Sequence, residues 1–126
     1  MGWDVVATGF KVVLSSAIPT LIRNQLAIPV DQLLGQHGLE RSAIKHWIVH
    51  AGGNRVLDAV RDALGLEENA LARSWQMLEE TGNLSSASVL FVLNDLIESG
   101  EARPRDYGMM IAVGPGFGAE LALLQW

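Results

Sequence analysis

Two polar side chains stand at the edges of apolar runs, in positions where a hydrogen-bond donor can serve chemistry. Trp47-Ile48-Val49-His50-Ala51-Gly52-Gly53 closes an apolar run with a histidine and two glycines. Gly82-Asn83-Leu84-Ser85-Ser86-Ala87 leads with an asparagine into a very apolar stretch. An imidazole and a neutral amide can each donate a hydrogen bond to a thioester oxygen. If that carbonyl becomes an enolate, two such donors stabilise the developing negative charge. This is the electrostatic requirement of decarboxylative condensation, and it needs no metal. Taken singly, each residue has a plainer explanation. His50 equally suits a histidine that ends a strand in an ordinary strand-turn-helix, and Asn83 suits a helix N-cap. Gly114-Pro115-Gly116 is a third candidate, and a hairpin turn accounts for it fully. Gly52-Gly53 lacks the remaining spacing of a dinucleotide-binding loop. A Ser-His hydrolase would have to pair Ser85, Ser86 or Ser88 with His50, but no Gly-x-Ser-x-Gly elbow is present. His37 and His46 have no metal-ligand spacing with His50 or with nearby acids. Both read as structural or surface residues.

The elements that must position these groups follow from apolar periodicity. Phe10 to Ser15 reads as a strand. Pro19 suits the first turn of a helix that runs to Gln36, in two pieces or kinked at Pro29 and closed by Gly38. Ala43 to His50 reads as a short buried strand. Gly53 to Leu64 is a helix ending at Gly65, with Val56, Leu57, Val60 and Leu64 on one face. Glu67 to Glu80 is a helix with Leu71, Ser74, Trp75 and Leu78 on one side. Asn83 to Ile97 has almost no polar face, which predicts a helix buried nearly all round. Tyr107 to Val113 and Glu120 to Trp126 read as strands joined by the turn at Gly114 to Gly118. Trp3, Trp75 and Trp126 are expected to be packing residues. The order is strand, helix, strand, helix, helix, helix, strand, strand. An α/β fold follows, with a mixed sheet covered by helices. In such sheets ligands gather at the carboxyl ends of strands, where His50 lies.

Bulk properties narrow the function classes. The 126 residues suffice for one domain with a real core. Nearly half of them are hydrophobic, which is high for a small domain: either the core is unusually well filled or some apolar surface is meant for a partner. The chain has no cysteine, so it brings no disulfide, no cysteine zinc site and no cysteine nucleophile of its own. A net charge of −5 offers no footprint for nucleic acid or an anionic membrane. No apolar run approaches the roughly 18 residues of a spanning helix. The first residues have no signal-peptide pattern, and a cytoplasmic protein is expected.

The motifs jointly resemble the C-terminal domain of the chalcone and stilbene synthases, the type III polyketide synthases. Trp47 to Gly53 matches that family's Trp-Ile-x-His-x-Gly-Gly. Gly82 to Ala87 matches Gly-Asn-Met-Ser-Ser-Ala. The Gly-Phe-Gly-Pro-Gly loop is met by Ala112-Val113-Gly114-Pro115-Gly116, whose first two residues depart from it. The resemblance runs from about Trp3 to Trp126. Ketoacyl synthase III enzymes share the fold and triad, but His-Gln-Ala-Asn and Gly-Phe-Gly-Gly-Gly fit these residues less well.

The resemblance implies a thiolase-like half-enzyme, residues 1–126, with the cysteine-bearing N-terminal half absent. His50 and Asn83 would be the catalytic histidine and asparagine of a Cys-His-Asn triad. Val12, Gly52, Gly53, Ser85, Gly114, Pro115 and Gly116 would line the substrate and CoA site. Val12 takes the place of a gatekeeper phenylalanine of plant members, which implies a different or roomier cavity. The loop from Gly100 to Asp106 is shorter than in plant enzymes and favours a bacterial one. Acyl-CoA and malonyl-CoA would be substrates, with no cofactor and no metal. The expected partners are the N-terminal half and a second copy in a homodimer. Without a cysteine the isolated chain is expected to be inactive. A non-catalytic thiolase-like partner domain is the alternative.

Overall fold

The computed structural model describes residues 2–13, 15–114 and 118–126. Strands β1 (Gly2–Val6) and β2 (Gly9–Val13) form an antiparallel hairpin. Only the second strand is legible in the apolar pattern, and it stops before Ser15. Helices α1 (Ile18–Gln25) and α2 (Ala27–Gln36) follow. The two expected pieces are present, but the break falls at Leu26 and not at Pro29. A proline ring collides with the carbonyl four residues earlier, here that of Gln25, so α1 ends there. Pro29 itself sits in the first turn of α2, where a missing N–H costs little.

A short 3-10 turn, Arg41–Ala43, leads into β3 (Ile44–Val49). Helix α3 (Asn54–Leu64) ends at Gly65 in the left-handed conformation, as expected. Helix α4 (Ala72–Thr81) begins later than the periodicity predicts. The preceding residues form three-residue turns, Ala70 N–H to Glu67 O and Ala72 N–H to Asn69 O, which carry Leu71 into the core. Helix α5 spans Ala87–Ser99, and Asn83 is not its N-cap. Strands β4 (Tyr107–Gly114) and β5 (Gly118–Gln125) complete the fold. Their connecting residues, Pro115 and Gly116 included, lie outside the described residues.

The main sheet has the order β3-β4-β5 and is mixed, as predicted: β3 and β4 are parallel, β4 and β5 antiparallel. Alternation along β3 sends side chains to opposite faces. Trp47 and Val49 join Met109 and Ile111 against α1, α2 and α3, through Ile22, Leu26, Leu34, Leu57 and Val60. Ile48 faces the other way, onto Met77 of α4 and Val89, Val92 and Leu96 of α5. Trp75 and Trp126 pack as expected, while the side chain of Trp3 lies outside the described residues. Trp126 covers Gly108 so closely that a Cβ there would stand 2.7 Å from its ring.

One expectation is corrected. α5 is not buried all round, since Leu90, Phe91 and Ile97 are 58%, 48% and 56% exposed. Its inward face meets the sheet and α4, and no other described element covers its outward face. No helix among the described residues is long and apolar enough to cross a membrane.

Candidate active site

His50 is the first residue beyond β3, at the carboxyl end of the parallel pair. Its backbone N–H donates to the carbonyl of Ile111 on β4 at 2.9 Å, which extends the ladder by one step. The chain then tightens, with Gly52 N–H bonded to His50 O at 2.8 Å. Glycine at 52 is a matter of space. A Cβ there would lie 3.1 Å from Cδ2 and 3.3 Å from Nε2 of His50, so the bare backbone lets the imidazole lie against it. Gly53 has φ +143°, a conformation side-chain-bearing residues rarely adopt, and its carbonyl receives the N–H groups of Val56 and Leu57 as α3 begins.

The imidazole is 9% exposed. Burial lowers its pKa below the ordinary 6.5, because the charged ring loses hydration. Nδ1 of His50 is the one buried side-chain nitrogen or oxygen among the described residues without a hydrogen-bond partner. A buried polar atom costs stability until something satisfies it.

Asn83 reaches this same turn from the loop between α4 and α5. Its Nδ2 donates to the carbonyl of Gly52 at 3.1 Å, and its Oδ1 accepts the N–H of Ser85 at 2.8 Å. The side chain is exposed. The α4–α5 loop is held in an unusual shape, with Ser85 at φ +59°. A serine in the left-handed region is uncommon, and here the Asn83 side chain stabilises the bend. His50 and Asn83 are therefore joined through a single residue, Gly52.

The other expected site residues are placed as follows. Gly52 and Gly53 form the turn itself. Ser85 stands beside Asn83. Val49 on β3 pairs with Ile111 on β4, so Gly114 at the end of β4 lies beyond the same carboxyl edge as His50. Val12 sits in β2 opposite Trp3, in the separate hairpin, and its side chain lies outside the described residues. Pro115 and Gly116 lie outside them too.

Two surface depressions lie elsewhere. One, of about 450 Å³, borders the Arg41–Asp31 ion pair, and another, of about 290 Å³, borders Lys45, His46 and Arg73. Among the described residues no three His, Asp or Glu side chains group to hold a metal ion. His46 is occupied structurally, with Nε2 2.9 Å from Asp106 Oδ2 and its ring edge-on to Trp126. His37 is exposed at the end of α2. Two buried serines bond the backbone beside His50 and Asn83: Ser74, placed by the sequence only on one side of a helix, and Ser88, weighed there only as a hydrolase partner of His50. A serine on the apolar side of α4 was the available signal for the first.

Comparison with known proteins bears on the fold and the family. The family model for chalcone and stilbene synthases, C-terminal domain, matches residues 3–125. The chain is 46% identical over its full length to 1,3,6,8-tetrahydroxynaphthalene synthase of Streptomyces peucetius subsp. caesius, and spans 33% of that relative. It is 43% identical over 98% of its length to 3,5-dihydroxyphenylacetyl-CoA synthase of Amycolatopsis orientalis, and spans 34% of it. The crystal structure of 1,3,6,8-tetrahydroxynaphthalene synthase from Streptomyces coelicolor A3(2), a bacterial type III polyketide synthase, superposes with a TM-score of 0.88. There the identity is 37%, covering 99% of this chain and 36% of that one. The chain thus spans about a third of the length of the curated relatives it matches. With a family match over nearly every residue and the same fold in a solved relative, this chain belongs to the chalcone and stilbene synthase family, as its C-terminal domain.

Proposed function

We propose that this domain supplies the oxyanion-holding half of a type III polyketide synthase. His50 and Asn83 hold the thioester oxygen of malonyl-CoA while its carboxylate leaves as CO₂. The electron pair released moves onto the thioester as an enolate, and hydrogen bonds from the imidazole and the carboxamide stabilise the charge. The enolate carbon then attacks an acyl thioester carried on a cysteine. The new C–C bond forms, the C–S bond to cysteine breaks, and the thiolate departs. That cysteine belongs to a segment outside this sequence. No metal or prosthetic group takes part, and the CoA thioesters are substrates.

The observation that carries this reading is the convergence of His50 and Asn83 on Gly52, at the carboxyl edge of the parallel strands, with Nδ1 of His50 buried and unpartnered. Burial alone favours a neutral imidazole, which donates through one nitrogen and suits the holding of an oxygen. A thiolate brought against the ring would favour the charged form, and the resulting ion pair keeps the cysteine nucleophilic at neutral pH. Gly52, Gly53, Ser85 and Gly114 to Gly116 border the CoA thioester, and Val12 borders the growing chain. The names of the two relatives favour a phenolic product.

The test is malonyl-CoA decarboxylation by the assembled enzyme carrying His50→Ala or Asn83→Ala. Each is expected to lower the rate by roughly 10²–10³, as loss of one oxyanion donor does. Circular dichroism should stay unchanged. A variant that decarboxylates at the wild-type rate removes that residue from the mechanism.

A further inference from the structure

Three polar side chains are buried among the described residues: His50, Ser74 and Ser88. The two serines are fully covered. A hydroxyl in such surroundings is costly unless hydrogen-bonded, and alanine would fill the same place without that demand. Packing therefore does not explain the choice of serine at either position.

Their hydrogen bonds do. Ser74 is in α4, and its hydroxyl donates to the carbonyl of Val49 at 2.8 Å. That carbonyl belongs to the peptide unit joining Val49 to His50. The N–H of the same unit is that of His50, which donates to Ile111 O at 2.9 Å. The plane that carries His50 is thus gripped from α4 on one side and from β4 on the other. A serine inside a helix commonly turns back to its own preceding carbonyl or out to solvent. Ser74 does neither, and reaches to another element.

Ser88, in the first turn of α5, does the corresponding thing at the other residue. Its Oγ accepts the N–H of Leu84 at 2.7 Å. That N–H belongs to the peptide unit joining Asn83 to Leu84. Its backbone N–H also donates to Ser85 O at 3.1 Å, which ties the Asn83–Ser85 bend to the start of α5.

We propose that Ser74 and Ser88 are positioning residues, each locking the peptide unit that carries one of the two oxyanion donors. They touch no substrate. They fix the backbone on which His50 and Asn83 stand, and small displacements of such groups are costly in rate. The inference rests on the roles assigned to His50 and Asn83 above.

The experiment measures kcat and KM for malonyl-CoA decarboxylation by the assembled enzyme. Ser74→Ala and Ser88→Ala are compared with Ser74→Thr and Ser88→Thr, which keep the hydroxyl, and with His50→Ala and Asn83→Ala. Each serine-to-alanine variant is expected to lower kcat about tenfold with KM within about twofold, and threonine is expected to recover most of the loss. If His50→Ala and Asn83→Ala lose activity while the alanine variants keep wild-type kcat, positioning is overturned and the catalytic assignment stands. If kcat and KM change together in step with a lowered unfolding midpoint, the serines are merely structural and the inference is also overturned. Wild-type rates for His50→Ala and Asn83→Ala overturn the catalytic assignment, and this inference with it.

Discussion

Desolvation holds the imidazole of His50 below its ordinary pKa of 6.5, and this has a consequence for stability. The unfolded chain, with its histidine in water, takes up a proton more readily than the folded one. Above about pH 6.5 both forms are neutral and the contribution of His50 to stability does not change. As pH falls below that value the unfolded state is protonated first, so stability is lost until the folded pKa is reached. The expected outcome is a urea midpoint that falls between pH 8 and pH 5, and falls less in His50→Gln. Every other side chain is common to the two proteins, so the difference between the two curves isolates His50. Identical slopes would show that the ring is hydrated in solution. Gly52→Ala probes the same ring from the other side. Its Cβ would press on Cδ2 and Nε2 of His50 at 3.1 and 3.3 Å, with no positive φ to add backbone strain. Decarboxylation by the assembled enzyme should drop by roughly 10- to 100-fold through misplacement of the ring, with the far-ultraviolet spectrum unchanged. An alanine tolerated at full rate would mean that the imidazole has room to move.

Among the elements, α5 stands out for its two unlike faces. Val89, Val92 and Leu96 fasten it to Ile48 and Met77, while Leu90, Phe91 and Ile97 point outward. Leu84, just before the helix, is also 41% exposed. Apolar surface is worth roughly 25 cal/mol for each Å² removed from water, so a patch of this kind favours association. The isolated domain is expected to self-associate at micromolar concentration. The double variant Leu90→Lys, Phe91→Ser should shift it toward monomer with its far-ultraviolet spectrum unchanged, because both side chains are exposed in the fold. Light scattering coupled to size exclusion decides this. A wild-type monomer that binds no hydrophobic dye would show that the outward face attracts no partner.

At the scale of the whole molecule, the chain spans a third of its relatives and has no cysteine. With malonyl-CoA and assorted acyl-CoA starters it is expected to release no polyketide, because no thiol within it can carry the acyl group. Mass spectrometry of products and an assay of freed CoA provide the check. Turnover should appear when a cysteine-bearing N-terminal half is supplied. Steady product formation by the chain alone would place the acyl carrier on some other nucleophile.

Much of this was legible in the residues themselves. The apolar run around Trp47 to Val49, the apolar stripe of α3, and Gly65 as its terminator are local properties, written in spacing and in the conformational freedom of glycine. The pairing of His50 with Asn83 was legible only as a joint pattern, since each alone has an ordinary structural use. Tertiary structure decided what depends on distant atoms. Pro29 moved the helix break to Leu26 because its ring acts on a carbonyl four residues back. Asn83 proved not to cap α5: its Oδ1, the atom a cap would use, accepts the N–H of Ser85, and its Nδ2 donates to the carbonyl of Gly52, far away in the chain. The sides of α5 separated into buried and exposed because coverage depends on which elements are near, and composition does not report that. The sequence placed Ser74 on one side of its helix with Leu71, Trp75 and Leu78, but its hydrogen-bond partner, the carbonyl of Val49, belongs to a strand that only tertiary packing brings near.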